Sequence, residues 1–174
     1  SATGLENGFD QAFSGISKNS MGFWAQSRSI PYKGYEEGSR PIFKISDVDY
    51  IQERIPEIEY ISPGHQLGAF SGSAPIVVRG TKTDNFNIFG NYPNYATITV
   101  KKLFDGGRWI NDEDMRLERK IAIIGEGTRD RLFEIDEDPL GKYIKINDIN
   151  FKVVGIHKYS QSSGFGSDGD IYIP

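Results

Sequence analysis

Cysteine is absent from the 174 residues, so disulfides, thiolate metal sites and cysteine nucleophiles are excluded together. The two histidines, His65 and His157, each lack a second histidine or cysteine at metal-ligand spacing, which argues against a zinc site and a histidine-based triad. No G-x-S-x-G motif marks an exposed serine nucleophile. The sequence therefore predicts no catalytic residue, no metal ligand and no cofactor, with both histidines as bystanders.

Long apolar runs are also missing. No window of about 18 apolar residues is present, and no basic segment precedes a short apolar one, so we expect neither a membrane span nor an export signal within these residues. The last residues, "DIYIP", are typical of a strand that is cut short. We therefore expect a fragment of a longer protein.

Positive charge is not in excess, because 20 lysines and arginines face 24 aspartates and glutamates for a formal net charge of -4. Binding to a phosphate backbone needs clustered positive charge, so we predict no nucleic-acid partner. Aromatic residues make up 13% of the chain. At this charge balance they favour a β-rich core over stacking on bases.

Helical periodicity is present in two segments of the N-terminal half. Residues 3–20 carry an amphipathic stripe formed by Leu5, Phe9, Ala12, Phe13 and Ile16. The stretch "SDVDYIQERIP" predicts a second helix that Ser46 caps and Pro56 ends. Its apolar face is formed by Val48, Ile51 and Ile55. Between the two helices, residues 21–41 predict a strand and then an exposed loop.

Short β segments dominate the rest. The predicted strands are "RPIFKI" (40–45), "EIEYIS" (57–62), "APIVVRGTK" (74–82), "ATITVKKLF" (96–104) and "KIAIIG" (120–125). A "DGGRW" turn and an acidic loop, "NDEDMRLER", lie between the last two, and a short helix is predicted over 127–135.

The stretch "DPLGKYIKINDINFKVVGI" (138–156) predicts a hairpin. Pro139 and Gly141 suit a turn, and Asn147-Asp148 is the predicted two-residue connection. Alternation places one apolar face on each strand, formed by Ile144 and Ile146 and by Ile149, Phe151 and Val153.

Three stretches could carry chemistry, and each has a plainer interpretation. Gly125–Gly127 could cradle a phosphate, but a strand-to-helix turn is favoured because the full motif is missing. Asp112–Asp114 could supply paired carboxylates for a hydrolase or for calcium, although a solvated surface is commoner. Asp168 and Asp170 resemble only part of a calcium loop.

Four stretches between residues 103 and 174 occur in an order that resembles the periplasmic core domain of MacB-type ABC transporter permeases, in the wider FtsX-like family. They are "LFDGGRWINDED", "RKIAIIGEGTRDRLF", "EDPLGKYIKINDINFKVVGI" and "SGFGSDGDIYIP". The matched signature positions are Gly107, Arg108, Gly125, Leu132, Phe133, Asp138, Pro139, Gly141 and Gly155. They carry shape in such proteins, through turns, a fixed φ and core packing, and none is catalytic.

The resemblance implies an α+β fold, with a porter-like α/β subdomain followed by a mostly β, Sabre-like subdomain. We assign residues 1–38 to a membrane-proximal helix and loop, 39–91 to an incomplete porter-like part and 92–174 to the Sabre-like part. The family's chain usually continues after the matching Tyr-Ile-Pro, so the porter-like part is expected to be incomplete here.

The resemblance also implies a location and partners. The domain would lie on the periplasmic side of the bacterial inner membrane, anchored by transmembrane helices outside this sequence, and would pass ATP-driven motion to an export substrate. Implied partners are those helices, a second permease copy, a cytoplasmic ATPase domain or subunit, and an adaptor protein. The domain itself would not be an enzyme.

A secreted carbohydrate-binding β module remains the alternative from the residues alone, because aromatic faces stack on sugar rings. Its candidate residues are Trp24, Tyr32, Tyr35 and Trp109.

Overall fold

The computed structural model describes residues 20–23, 29–30, 34, 36–39, 42–68, 74–99, 101–159 and 166–174. The helix predicted over residues 3–20 falls outside these ranges except for its last residue. Trp24, Tyr32 and Tyr35 also lie outside the described residues.

Helices and strands of the described ranges follow one another along the chain as a mixture of both types. The helices are α1 (Ser46–Arg54), α2 (Tyr95–Ile98), α3 (Asp112–Arg116) and α4 (Glu126–Leu132). The strands are β1 (Gly64–Leu67), β2 (Ile76–Arg79), β3 (Lys82–Asn85), β4 (Ile88–Asn91), β5 (Ile121–Gly125), β6 (Tyr143–Ile146), β7 (Ile149–His157) and β8 (Ile171–Ile173).

All eight strands form one sheet in the order β1-β4-β8-β5-β7-β6-β2-β3. The pairs β4–β8 and β5–β7 are parallel, and the other pairs are antiparallel. The predicted α+β class is confirmed. Strands from both sides of residue 91 share the sheet, and the division of the chain at that residue stays a prediction.

The core lies on both faces of the central strands. All five residues of β5 are buried, as expected for a strand covered on both sides. One face packs against α4 and the hairpin, through residues that include Val77, Ile88, Ile124, Leu132, Phe133, Ile144 and Ile171. The other face packs around Ile110, Ile121, Ile123 and Tyr172. The predicted strand over 120–125 and the predicted helix that follows it are confirmed.

The predicted hairpin is present as β6 and β7, with Ile146 opposite Ile149. Asn147 and Asp148 both have positive φ, 45° and 64°, as a two-residue turn that matches the strand twist requires. Ile149 is 47% exposed, contrary to the predicted buried face. The reason is that β5 pairs with β7 only from Lys152 onwards, so the tip of the hairpin extends beyond its cover.

The predicted strand over 96–104 is wrong, because its first residues form α2. The Tyr95 ring packs 5.5 Å from the ring of Tyr172, and the Thr99 amide donates to the Tyr95 carbonyl. This tertiary contact overrides the β preference of Thr97 and Ile98. Further along this stretch, Leu103 forms an isolated β-bridge to His157.

Two further predicted strands are not formed in the described residues. Residues 57–62 have no regular structure, and the Ile61 carbonyl accepts instead from the Asn94 side chain at 2.5 Å. Residues 42–45 lead directly into α1. The Lys44 amide there donates to the Asp47 carboxylate at 2.8 Å, and Ser46 is not the cap.

Replacing Asp148 by glycine should raise the free energy of unfolding by about 0.5–1 kcal/mol, because glycine adopts the positive φ of this turn without steric cost. Urea unfolding followed by circular dichroism measures the change. Asn150→Gly, on the neighbouring strand, is the matched control and should instead lose about 0.5–1 kcal/mol. A loss of stability in Asp148→Gly would contradict the assigned turn.

Candidate functional site

A loop between α2 and α3 lies directly against β7. The Phe104 amide donates to the Ile156 carbonyl at 2.8 Å, and the Arg108 amide donates to the Val154 carbonyl at 2.9 Å. A Cβ on Gly107 would lie 3.0 Å from the Gly155 Cα, and a Cβ on Gly155 would lie 2.7 Å from the Arg108 carbonyl oxygen. The crossing therefore leaves no room for a side chain at Gly155 and little room for one at Gly107.

The crossing coincides with an irregularity in the sheet. Ala122 pairs with Val153, whereas the next residue, Ile123, pairs with Gly155, so Val154 is the extra residue of a bulge. A bulge bends its strand and breaks the ladder locally. Here it leaves the Val154 carbonyl available to the Arg108 amide.

Arg108 joins this crossing to α3 through a buried carboxylate. Its two Nη atoms lie 2.6 and 2.9 Å from the Asp114 carboxylate, whose side chain has no exposed surface. Asn111 and Asp114 form a reciprocal capping box at the start of α3, and Arg119 adds a contact of 3.3 Å. We call Arg108, Asn111, Asp114 and Arg119 the Asp114 clamp.

The predicted acidic loop over residues 111–119 is wrong in its central part. Residues 112–116 are helical, and Asp114 is buried rather than solvated. Asp112 is exposed, so the two carboxylates do not share a cleft. The carboxylate-hydrolase hypothesis therefore has no pair of acids here.

The clamp determines the protonation of its members. Burial raises the pKa of Asp114, but hydrogen bonds from Arg108, the Asn111 amide and Arg119 outweigh it and hold that pKa below its ordinary value. The hydrogen bond to Asp114 in turn raises the pKa of Arg108. The pair is therefore ionised across the neutral range.

Gly125 and Gly127 bracket the turn from β5 into α4, which confirms the predicted strand-to-helix turn. The Gly127 amide donates to the Asp168 carbonyl at 2.9 Å. A side chain on either glycine would overlap Asp168. The anion position at this helix start is thus occupied by the chain itself.

The remaining signature residues lie apart from this turn. Leu132 and Phe133 are buried in the core. Asp138 accepts from the Leu140 amide at 3.0 Å, and Pro139 is buried beside it. Gly141 has φ 79° and donates its amide to the Val153 carbonyl at 2.8 Å. The structure therefore brings together Gly107, Arg108 and Gly155, and spreads the other six around the sheet.

A second buried carboxylate, Asp170, lies beside His157, the last residue of β7. It accepts from the Ser167 amide and hydroxyl, both at 2.8 Å, and from the Asn87 side chain at 3.3 Å. Lys101 approaches it to 4.0 Å. No group of three or more acidic or histidine side chains among the described residues could hold a metal ion.

His157 completes this polar cluster, which the sequence interpretation missed. The ring is fully buried, and its Nε2 lies 2.8 Å from the Asp170 carbonyl oxygen. Burial, and next the charge of Lys101, lower the pKa of His157; burial also lowers the pKa of Lys101. Alternation along β7 does not reveal this position, because the bulge at Val154 interrupts it and the last three residues of the strand are all buried.

Trp109 does not offer an open face for a sugar. It packs against Tyr95 and Tyr172, with ring centroids 6.4 and 5.9 Å apart. The Tyr172 ring also packs on Phe89, and burial raises its pKa. The fourth candidate of the carbohydrate-binding alternative is thus a partly buried residue that packs against the core.

An apolar groove of about 790 Å³ separates α1 from the ends of β1 and β4. Its lining includes Phe43, Val48, Ile51, Tyr60, Tyr95 and Met115. The predicted apolar face of α1 reaches this groove, but α1 contains no buried residue. None of the helices in the described ranges is long and apolar enough to cross a membrane.

Replacing Gly155 by alanine should cost about 1–3 kcal/mol of unfolding free energy, because the new methyl group would overlap the Arg108 carbonyl. Thermal or urea unfolding measures the loss. Gly90→Ala is the control, since a Cβ there meets only the His65 carbonyl at 3.8 Å, and it should stay within about 0.5 kcal/mol. Equal losses in both variants would show that the crossing is not the cause.

Asp114→Asn should lower the free energy of unfolding by about 2–4 kcal/mol at neutral pH, because the arginines lose a charged acceptor. The folded pKa of Asp114 lies below 3.8, so its contribution is complete above that value and is lost as the pH falls through the folded pKa. The difference between the two proteins should therefore shrink below about pH 4. Urea unfolding at a series of pH values tests this, with exposed Asp112→Asn as the control. A gap that stays constant down to pH 2 would contradict the assigned ionisation.

Solved structures with a similar fold are periplasmic or extracellular domains of transporters. The periplasmic region of MacB from Actinobacillus actinomycetemcomitans matches with a TM-score of 0.58 and 26% identity, over 76% of this chain and 55% of that chain. The extracellular domain of the ABC-type transporter YknZ from Gram-positive bacteria has a TM-score of 0.62 over 76% of this chain and 62% of that chain. At 17% identity, this second match shows the fold alone.

Curated relatives are much longer proteins. The macrolide export ATP-binding/permease protein MacB of Chlorobium phaeobacteroides is 29% identical over 170 residues, which is 98% of this chain and 25% of that protein. The pyoverdine export ATP-binding/permease protein PvdT of Pseudomonas putida is 27% identical over 149 residues, 80% of this chain and 22% of that protein. The chain thus spans about a quarter of the length of these relatives.

The family model described as the MacB-like periplasmic core domain matches residues 2–174, nearly the whole sequence. The match agrees with the fold and with the resemblance that the order of motifs past residue 103 indicates. The chain belongs to the MacB-like periplasmic core domain family.

Proposed function

We propose that this chain is the periplasmic part of an ABC export permease, anchored at the bacterial inner membrane by helices outside this sequence, and that it passes ATP-driven motion to an export substrate. The family supports the class of protein. The printed names of the relatives, which are export ATP-binding/permease proteins, support the direction of transport.

The observation that carries the mechanical role is the Asp114 clamp. A domain that transmits displacement must resist deformation where its parts join, and packed units with discrete arrangements do so. The clamp joins α3 to the 104–108 loop through a doubly hydrogen-bonded ion pair whose carboxylate is buried, and backbone hydrogen bonds attach that loop to β7. Fork-like arginine–carboxylate pairs restrict geometry more than single contacts do.

Partners follow from the same assignment. We propose that the parent transmembrane helices, a second permease copy and a cytoplasmic ATPase domain act with this domain, and that a periplasmic adaptor protein receives the motion. The apolar groove and the exposed side chains near it, among them Ile42, Phe43, Ile45 and Tyr50, suit contacts within such an assembly. The predicted porter-like and Sabre-like parts would share the sheet as one transmitting unit.

ATP hydrolysis is proposed to reside on another part of the assembly. The turn at Gly125–Gly127 supports this division, since the Gly127 amide is used by Asp168 and Glu126 adds negative charge there. A phosphate would have to displace the Asp168 carbonyl from the Gly127 amide and would be repelled by Glu126.

The test uses the complete permease with its ATPase, reconstituted in liposomes. Arg108→Ala should lower substrate export per ATP hydrolysed by about tenfold, while the ATPase rate itself stays within about twofold, because a loosened clamp absorbs the displacement. Export and phosphate release are measured on the same vesicles.

Arg116→Ala is the matched control. Arg116 lies on α3, the helix that contains Asp114, and forms an exposed pair with Glu113. It should leave the export-to-ATP ratio unchanged. Unfolding of each isolated domain is measured as well, so that loss of the fold is not taken for loss of coupling. An Arg108→Ala permease with a folded domain and an unchanged ratio would refute the mechanical role.

A further inference from the structure

His157 lies where three segments of the chain meet: the end of β7, the turn over 166–170 and β8. Its Nε2 faces the Asp170 carbonyl oxygen, which can only accept, so Nε2 carries the proton and Nδ1 is the bare nitrogen. Nδ1 is buried and makes no hydrogen bond among the described residues, although the nearby Lys158 backbone favours a proton on the ring. The ring is thus built into the structure in its neutral form.

The charged and titratable groups around the ring come from every neighbouring element. Lys101 follows α2, Asp170 belongs to the turn, Tyr172 lies in β8 and the Tyr95 ring packs behind it. On the α4 side, Glu126 accepts from the Tyr159 amide, and the Asp168 side chain lies against Gly127. On the far side of β7, Lys158 extends over Phe104.

Asp170 is the carboxylate in position to balance charge on the ring, and its oxygens already accept from Ser167 and Asn87. Lys101 shares that same carboxylate. A proton on Nδ1 would therefore add a second buried cation to one counter-ion. This is costly in an interior from which water is excluded, and the cost of burial outweighs the Asp170 and Lys158 backbone groups, which favour the proton.

We propose that His157 and Asp170 form an acid-sensitive latch, which holds the 166–170 turn on the end of the sheet at neutral pH and releases it when the imidazole takes up a proton. Opening the latch frees the Asp168 carbonyl from the Gly127 amide as well, because both aspartates belong to the same turn. The first residue of β8 follows this turn directly, so release loosens the strand at its start.

The direction with pH follows from the burial of the ring. Since burial lowers the pKa of His157 from its ordinary value of 6.5, the unfolded or opened form binds the proton more readily than the closed form. The stabilisation by the closed latch is complete above about pH 6.5 and diminishes as the pH falls below it, down to the folded pKa. This inference goes beyond the proposed transport role and does not rest on it.

The experiment is NMR on the isotopically labelled 174-residue chain between pH 7.5 and 5.5. The chain has only two histidines, so the ring signals of His157 and His65 are readily assigned. The protection factor of the Gly127 amide, corrected for intrinsic exchange, should fall by about tenfold at pH 5.5, which is one pH unit below the ordinary histidine pKa. The Val153 amide, in the base of the hairpin, should keep its protection.

His157→Gln retains a side-chain amide donor for the Asp170 carbonyl but cannot take up a proton, so its Gly127 protection should not change with pH. His65→Gln, the other histidine, should respond as the wild type does. An equal fall in His157→Gln, or no fall in the wild type, would overturn the proposal.

Should His157→Gln fail to fold, the wild-type titration decides by itself. A His157 ring midpoint below the ordinary value of 6.5, shared by the shifts of the Gly127 and Asp170 amides, supports the latch. A His157 ring midpoint at or above 6.5, while those amides stay unchanged, refutes it.

Discussion

Asp114 fixes the arrangement of one short stretch of chain, from residue 108 to residue 119. Its carboxylate accepts from Arg108 on the loop that crosses β7, from the Asn111 amide at the start of α3, and from Arg119 before β5. A carboxylate without exposed surface is stable only when such donors replace its lost hydration. The position of α3 and of the 104–108 loop against β7 depends on these hydrogen bonds.

The longest strand, β7, organises the rest of the molecule. Its Val153 carbonyl accepts a hydrogen bond from the Gly141 amide, and its Val154 carbonyl accepts one from the Arg108 amide. Its last residue, His157, contacts the Asp170 carbonyl. Apolar burial supplies cohesion along this strand but does not specify direction. The polar contacts at Val153, Val154 and His157 supply the geometry.

Local patterns were sufficient where the signal lies within the element itself. The turn at Asn147 and Asp148 follows from residue preferences, and the fully buried β5 follows from its continuous apolar run. The helix at Tyr95 could not be predicted in this way, because a contact with Tyr172 in the last strand selects it. The polar cluster joins residues 101, 157 and 170, and the clamp turns an acidic run into a buried anchor. Single-sequence periodicity contains neither fact.

The position of β8 has a consequence for how the protein is made. This strand of three residues lies between β4 and β5, so the sheet consists of two separate halves until residues 171–173 are in place. A nascent chain that has reached β7 therefore exposes two open edges, which can pair with other chains. We expect folding intermediates of this domain to depend on chaperones until residues 171–173 are available to pair.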